Sequence, residues 1–146
     1  MNTGSDNQFS FGSVLLIDDS EIDVLVNRRL IELTRFASKV IITHNGEQAL
    51  NFLRNECISE ETIPDWIFLD LHLPVMSGFE FLEIFSSMPD AIRQKSRIII
   101  LSAIQKQETK DELLKHENVF GQVNKPLTQG ILHDLAKAVS VSPASF

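Results

Sequence analysis

The sequence predicts an α/β protein in which a five-stranded parallel β-sheet carries helices on both faces. Short apolar runs recur along the 146-residue chain, and each is followed by a stretch whose apolar residues repeat at helical spacing. The runs at 66–69 and 98–101 are wholly apolar, which is typical of strands buried on both faces. Strands that alternate with helices of about 10 to 15 residues indicate consecutive βαβ units.

The first half of the chain supplies three strands and two helices. Strand 1 is predicted at 14–17, strand 2 at 39–43 near a sheet edge, and strand 3 at 66–69. The first helix begins after Ser20, with Asp23 in the position of a capping-box acid. One face of this helix is predicted to be apolar, with Ile22, Leu25, Val26, Leu30 and Leu33 at helical spacing. Asn45 and Gly46 turn the chain into a second helix lined by Ala49, Leu50 and Leu53.

The second half supplies two more strands and three helices. Gly78 opens a helix whose inward-facing residues are predicted as Phe79, Leu82 and Phe85. Residues 88–97 are expected to form a polar connection, followed by strand 4 at 98–101, a weaker helix at 105–116 and strand 5 at 119–123. Thr128 caps the last helix, whose buried stripe is predicted as Ile131, Leu132, Leu135, Ala136 and Val139.

Five such units, joined by right-handed crossovers, predict the strand order 2-1-3-4-5, with a switch point between strands 1 and 3. We expect a flexible N-terminal tail at 1–12, one domain at 13–140 and a C-terminal tail at 141–146.

Composition limits the class of protein. A net charge of −7 argues against nucleic-acid binding, because phosphate contacts need a basic surface. Cys57 is the only cysteine, so the chain forms no internal disulfide and fits a reducing compartment. No apolar run approaches the roughly 20 residues of a membrane helix, and the polar N-terminus does not resemble a signal peptide. The expectation is a cytoplasmic protein without membrane contact.

Polar side chains follow four of the predicted strands. Asp18 and Asp19 follow strand 1, Asp70 follows strand 3, Ser102 follows strand 4 and Lys125 follows strand 5. The carboxyl ends of parallel strands share one edge of the sheet, where ligands bind in open α/β folds. Crowded carboxylates repel one another and call for a cation, and an oxygen-only ligand set favours Mg²⁺.

This residue set suits phosphoryl transfer. A divalent ion, the ammonium of Lys125 and the hydroxyl of Ser102 would together stabilise a phosphoryl group in transit. Asp70 is then the predicted nucleophile, which forms an acyl phosphate.

With these motifs in place, residues 13–140 resemble the receiver domain of bacterial two-component response regulators, in particular the stand-alone, chemotaxis-regulator-like kind. The resemblance rests on the Asp-Asp, Asp, Ser and Lys-Pro motifs at the ends of strands 1, 3, 4 and 5, and on the loop at 73–78. It implies a flavodoxin-like fold and a stand-alone phosphoacceptor in a phosphorelay. Only 21 residues follow Lys125, so we expect no attached output domain.

The resemblance also implies a role for each site residue. Asp70 takes the phosphoryl group from a sensor histidine kinase or a histidine phosphotransfer protein. The Mg²⁺ ligands are Asp19 directly, Asp18 mainly through water, Asp70, and the backbone carbonyl of His72. Lys125 pairs with the acceptor carboxylate and Ser102 moves to the phosphoryl group. The bond from Lys125 to Pro126 is expected to be cis.

One position departs from the family. Receivers often carry Tyr or Phe three residues before the lysine as a rotating switch, whereas this chain has Gln122. Phe120 has the same strand parity and would substitute only if the strand shifted. The expected output is contact with a downstream protein through the helix at 105–116, strand 5 and the last helix. The expected oligomeric state is a monomer or weak homodimer, and the domain catalyses only its own phosphorylation and dephosphorylation.

Three other readings fit part of the pattern. A phosphatase of the haloacid-dehalogenase kind also uses an Asp nucleophile and Mg²⁺, but it needs a second acid where this chain has His72. A nucleotide or flavin binder needs a phosphate loop after strand 1, where Asp18 and Asp19 would repel phosphate. A scaffold receiver that is never phosphorylated tends to lack a key residue, and here every one is present.

Overall fold

A computed structural model describes residues 8–139 and contains a single five-stranded parallel sheet in the order β2-β1-β3-β4-β5. The strands are β1 (Phe11–Ile17), β2 (Ala37–Thr43), β3 (Trp66–Leu69), β4 (Arg97–Leu101) and β5 (Val119–Val123). The helices are α1 (Glu21–Leu33), α2 (Gly46–Asn55), α3 (Gly78–Phe85), α4 (Asp90–Lys95), α5 (Gln107–Leu114) and α6 (Gln129–Val139), with a 3₁₀ turn at Glu60–Thr62. The predicted flavodoxin-like fold and strand order are confirmed.

Helices cover both faces of the sheet, because successive strand residues point to opposite sides. On one side Leu15 and Ile67 pack against α2 to α5, and on the other Leu16 and Phe68 pack against α1 and α6. All four β3 side chains are buried, as expected for the central strand of a parallel sheet.

The first strand begins earlier than the sequence indicated. β1 starts at Phe11, within the predicted tail, and pairs there with Ala37 of β2, which also starts early. The ring of Phe11 lies 4.9 Å from that of Phe36 and 5.6 Å from that of Trp66, so aromatic packing extends the strand. Residues 1–7 and 140–146, which contain the rest of the predicted tails and the last domain residue, lie outside the described residues.

The predicted apolar face of α1 lies mostly at the surface. Ile22, Leu25, Val26 and Leu33 are 51 to 75% exposed, and Leu30 is half-buried. The helix instead turns Val24, Asn27 and Ile31 toward the sheet. Two stripes of residues repeat at the helical period in α1. The stripe that is buried is harder to identify from the sequence because it contains the polar Asn27. An apolar face of α1 is therefore left at the surface.

The helices of the second half need smaller corrections. The predicted connection at 88–97 contains α4, which is anchored by Ile92 and preceded by buried Met88. In α3, Phe81 is buried and Phe79 only half-buried. In α5, Leu113 is buried whereas Leu114 lies at the surface. Among residues 8–139, no helix combines the length and apolar character needed to cross a membrane.

Candidate phosphoryl-acceptor site

The structure brings the predicted site residues to the carboxyl edge of the sheet. Asp18 and Asp19 follow β1, Asp70 follows β3, Ser102 follows β4, and Lys125 lies two residues beyond β5. One carboxylate oxygen from each of Asp18, Asp19 and Asp70 lies within 4.8 Å of the others. The acids on the two sides of the β1/β3 switch point therefore converge, as parallel strand ends require.

Lys125 binds three carboxylates at once. Its Nζ lies 3.1 Å from Asp18 Oδ2, 3.1 Å from Asp70 Oδ2 and 3.0 Å from Asp23 Oδ2. The side chains of Asp18 and Asp70 are only 5% and 10% exposed, whereas that of Asp23 is 42% exposed. One ammonium thus neutralises part of the charge of a mostly buried acidic cluster.

Backbone amides hold the two buried carboxylates in place. Ser20 N–H donates to Asp18 Oδ1 at 2.9 Å, and His72 N–H donates to Asp70 Oδ1 at 3.0 Å. In each case the donor lies two residues beyond the acid, so the loop after the strand orients the side chain. The second oxygen of each acid is then directed at Lys125. The site geometry is fixed by main-chain groups as well as by charge.

The surroundings raise the pKa values of two groups in the site, Asp18 and Lys125, for different reasons. Burial raises the pKa of the Asp18 carboxyl above its ordinary value, although the Ser20 amide and Lys125 oppose the shift. Burial alone would lower the pKa of Lys125, but its bonds to Asp23, Asp18 and Asp70 together raise it well above its ordinary value. Lys125 is therefore a fixed cation at neutral pH and not a proton carrier.

Gln122 joins the end of β4 at Ser102 to Asn124, the residue before Lys125. The buried Ser102 donates its N–H to Val123 O at 3.0 Å, which joins the ends of β4 and β5. Gln122 Nε2 donates to the backbone carbonyl of Ser102 at 2.5 Å and to Asn124 Oδ1 at 2.8 Å. The amide at the expected switch position therefore bonds to the loop that carries Ser102. The peptide bond from Lys125 to Pro126 is cis, as the resemblance implies.

Asp23 is the site residue that sequence reasoning missed. Its position in the first turn of α1 suggested only a capping role, and its backbone N–H does bond to Ser20 Oγ. Its side chain instead reaches Lys125, which lies 102 positions away along the chain. The available signal was its spacing, since a residue four positions after Asp19 lies about one helical turn into a helix that starts at the site.

The donor set fits a hard cation. Asp18, Asp19 and Asp70 offer converging carboxylate oxygens, and neither His nor Cys belongs to this cluster. Asp19 is exposed, so an ion bound there keeps access to solvent waters, as Mg²⁺ prefers. The cluster is thus suited to Mg²⁺ by ligand chemistry and by charge.

Comparison with known proteins finds similar sequences. A sequence model of the response regulator receiver domain matches residues 14–137. The polar-differentiation response regulator DivK of Brucella anthropi is 37% identical over 68 residues, a match that covers 47% of this chain and 49% of DivK. The chain therefore spans about half the length of this curated relative.

Solved structures share the whole fold. A two-component response regulator from Cytophaga hutchinsonii superimposes with a TM-score of 0.81 at 26% identity, over 91% of this chain and 98% of that one. The receiver domain of the sensor histidine kinase PA1611 from Pseudomonas aeruginosa has a TM-score of 0.68 at 20% identity, over 86% and 94% of the two chains. Its crystal structure holds a magnesium ion in the active site cleft. The chain thus belongs to the response regulator receiver domain family of two-component signalling systems.

Proposed function

We propose that this receiver accepts a phosphoryl group on Asp70, from a phosphohistidine of a sensor kinase or phosphotransfer protein, and signals through protein contacts. The observation that carries the proposal is the bond of Lys125 to Asp70 inside a cluster of converging carboxylates. In the transfer, a carboxylate oxygen of Asp70 forms a bond to phosphorus while the phosphorus–nitrogen bond breaks, and the electron pair leaves with the imidazole.

Charge explains why the chain's own residues are arranged in this way. The phosphoryl group adds about −1.5 to −2 charges to a cluster that already contains several acids. Lys125 neutralises one of these charges and is held at Asp70 before transfer. A magnesium ion bound by Asp18, Asp19, Asp70 and the His72 carbonyl would supply the remaining positive charge. Ser102 would donate its hydroxyl to a phosphoryl oxygen after a movement of its loop.

The exposed face of α1 is suited to the protein that donates the phosphoryl group. Ile22, Leu25 and Val26 are 75%, 67% and 51% exposed, and they follow directly on the site acids Asp18 and Asp19. A phosphohistidine must approach Asp70 at the carboxyl edge of the sheet. The protein that carries the phosphohistidine therefore has to lie against the surface beside this edge. We therefore assign this apolar face to a helical protein that carries the phosphohistidine, because apolar helix faces pack well on each other.

Direct phosphorylation tests the assignment of Asp70. Incubation with acetyl phosphate and Mg²⁺ should add the mass of one phosphoryl group to the wild-type protein, as read by intact mass spectrometry. The D70N variant should gain no such mass. The D134N variant is a matched control, since Asp134 is an exposed acid on α6. Equal phosphorylation of D70N and wild type would refute the proposal.

The donor surface is tested separately with matched alanine variants. L25A should slow phosphotransfer from a phosphorylated histidine phosphotransfer protein while leaving the reaction with acetyl phosphate unchanged. I58A is the control, because Ile58 is 84% exposed but follows α2 instead of lying beside the site. Equal slowing by both variants would contradict the proposed surface. The cytoplasmic location, the downstream target and the oligomeric state stay predictions.

A further inference from the structure

We propose that Asp23 is a positioning residue that occupies the third N–H of Lys125 until the phosphoryl group arrives. The inference rests on the proposed function of Asp70. Its basis is the three-way contact in which Lys125 Nζ lies 3.0 Å from Asp23 and 3.1 Å from each of Asp18 and Asp70.

The number of donors on the ammonium makes this contact consequential. A lysine ammonium has three N–H donors, and here three carboxylates take them. A phosphoryl oxygen on Asp70 can therefore bond to Lys125 only when one of these acceptors gives up its N–H. Phosphorylation thus requires an exchange of partners at Lys125.

Asp23 is the acceptor that is released most readily. Asp18 and Asp70 are buried and are each held through Oδ1 by a backbone amide, so they cannot turn toward water. The Asp23 side chain is 42% exposed, and its carboxylate bonds to Lys125. A released Asp23 is rehydrated, whereas a released Asp18 would remain a buried acid without its cation.

The resting contact keeps the ammonium centred between the acids. Asp23 approaches from α1, whereas Asp18 and Asp70 lie at the ends of β1 and β3. The contact therefore holds Lys125 in place, and it also competes with the incoming phosphoryl group. Replacing the carboxylate of Asp23 by an amide weakens the competing bond, because bonds to ionised acceptors are about twice as strong as neutral ones.

Phosphorylation kinetics test this role. We expect D23N to raise the maximal rate of phosphorylation by acetyl phosphate about three- to tenfold, the factor expected when a charge-assisted bond becomes a neutral one. The control is E21Q, which removes the same charge from the same turn of α1, and Glu21 is not bonded to Lys125. E21Q should alter only the half-saturating concentration of acetyl phosphate, because the loss of the Glu21 charge weakens the repulsion of this anion. D23E should restore the wild-type rate.

A second readout does not depend on phosphorylation. Acetylation of Lys125 by acetic anhydride at alkaline pH, followed by peptide mass spectrometry, should be faster in D23N than in wild type or E21Q. If Lys125 reactivity rises but no variant is phosphorylated, the positioning contact stands and the proposed function fails. An unchanged reactivity in D23N, or an equal gain in phosphorylation rate in E21Q, would overturn the role of Asp23.

Discussion

Replacing Lys125 by Met gives the sharpest test of the electrostatics of the site. Met keeps most of the length of the side chain but removes the ammonium. Asp18 and Asp70 would then face each other without a cation, at 5% and 10% side-chain exposure. We expect K125M to be less stable than the wild type in the absence of metal ions, because buried like charges repel.

The size of the loss follows from burial. Removing one partner of a buried ion pair costs about 3 to 5 kcal/mol. The Lys125 side chain is itself 31% exposed, so we expect the lower end, about 3 kcal/mol. For a domain of this size, that loss should lower Tm by about 10 °C. Mg²⁺ should recover a larger part of the stability in K125M than it adds to the wild type, since it replaces the missing positive charge.

Urea denaturation at neutral pH measures the free energy of unfolding of K125M and wild type, first with EDTA and then with Mg²⁺. The matched control is K106M, which removes a lysine that is exposed at the start of α5. K106M should stay within about 0.5 kcal/mol of wild type. A loss in K125M no larger than that of K106M, or a loss that Mg²⁺ does not reduce, would refute the charge-neutralisation argument.

Three further results are expected. First, the native pKa of Asp18 is raised above 3.8, so this group adds stability below pH 3.8 that is lost as pH rises through its native pKa. D18N should therefore gain stability relative to wild type as pH increases from about 4 to 7, as measured by denaturation, and a gain on acidification would contradict the sign. Second, Mg²⁺ at 100 times its dissociation constant should stabilise the wild type by about 2.7 kcal/mol. D19N should lose most of this gain in thermal scans, and full retention would exclude Asp19 as a ligand. Third, Q122M removes the bond to the Ser102 carbonyl and should raise amide hydrogen exchange in that loop by about three- to tenfold, whereas unchanged exchange would mean that Gln122 does not restrain the loop.

The residues of the site could be predicted because they follow strands. A wholly apolar run ends where the chain leaves the sheet, so Asp70 and Ser102 could be placed at the carboxyl edge from local pattern alone. Asp18 and Lys125 were found in the same way. Parallel strands send their carboxyl ends to one edge, which turns four local patterns into one predicted cluster.

The pattern of residues along the chain does not predict features that depend on packing between distant segments. The sequence of α1 contains two stripes at helical spacing, and periodicity cannot say which of them faces the sheet. The early start of β1 depends on the contact of Phe11 with Phe36 and Trp66, residues that are distant in sequence. The bond of Gln122 to Ser102 O likewise joins two strands.

The βα order and the acidic and basic groups at the strand ends follow from the sequence alone, because each depends on residue type and near-neighbour spacing. Two features emerge only when the chain is folded: Asp23 shares Lys125 with Asp18 and Asp70, and α1 leaves an apolar face at the surface. Both depend on how α1 is rotated against the sheet. That rotation depends on how Val24 and Ile31 pack against distant parts of the chain, so no single stretch of sequence encodes it.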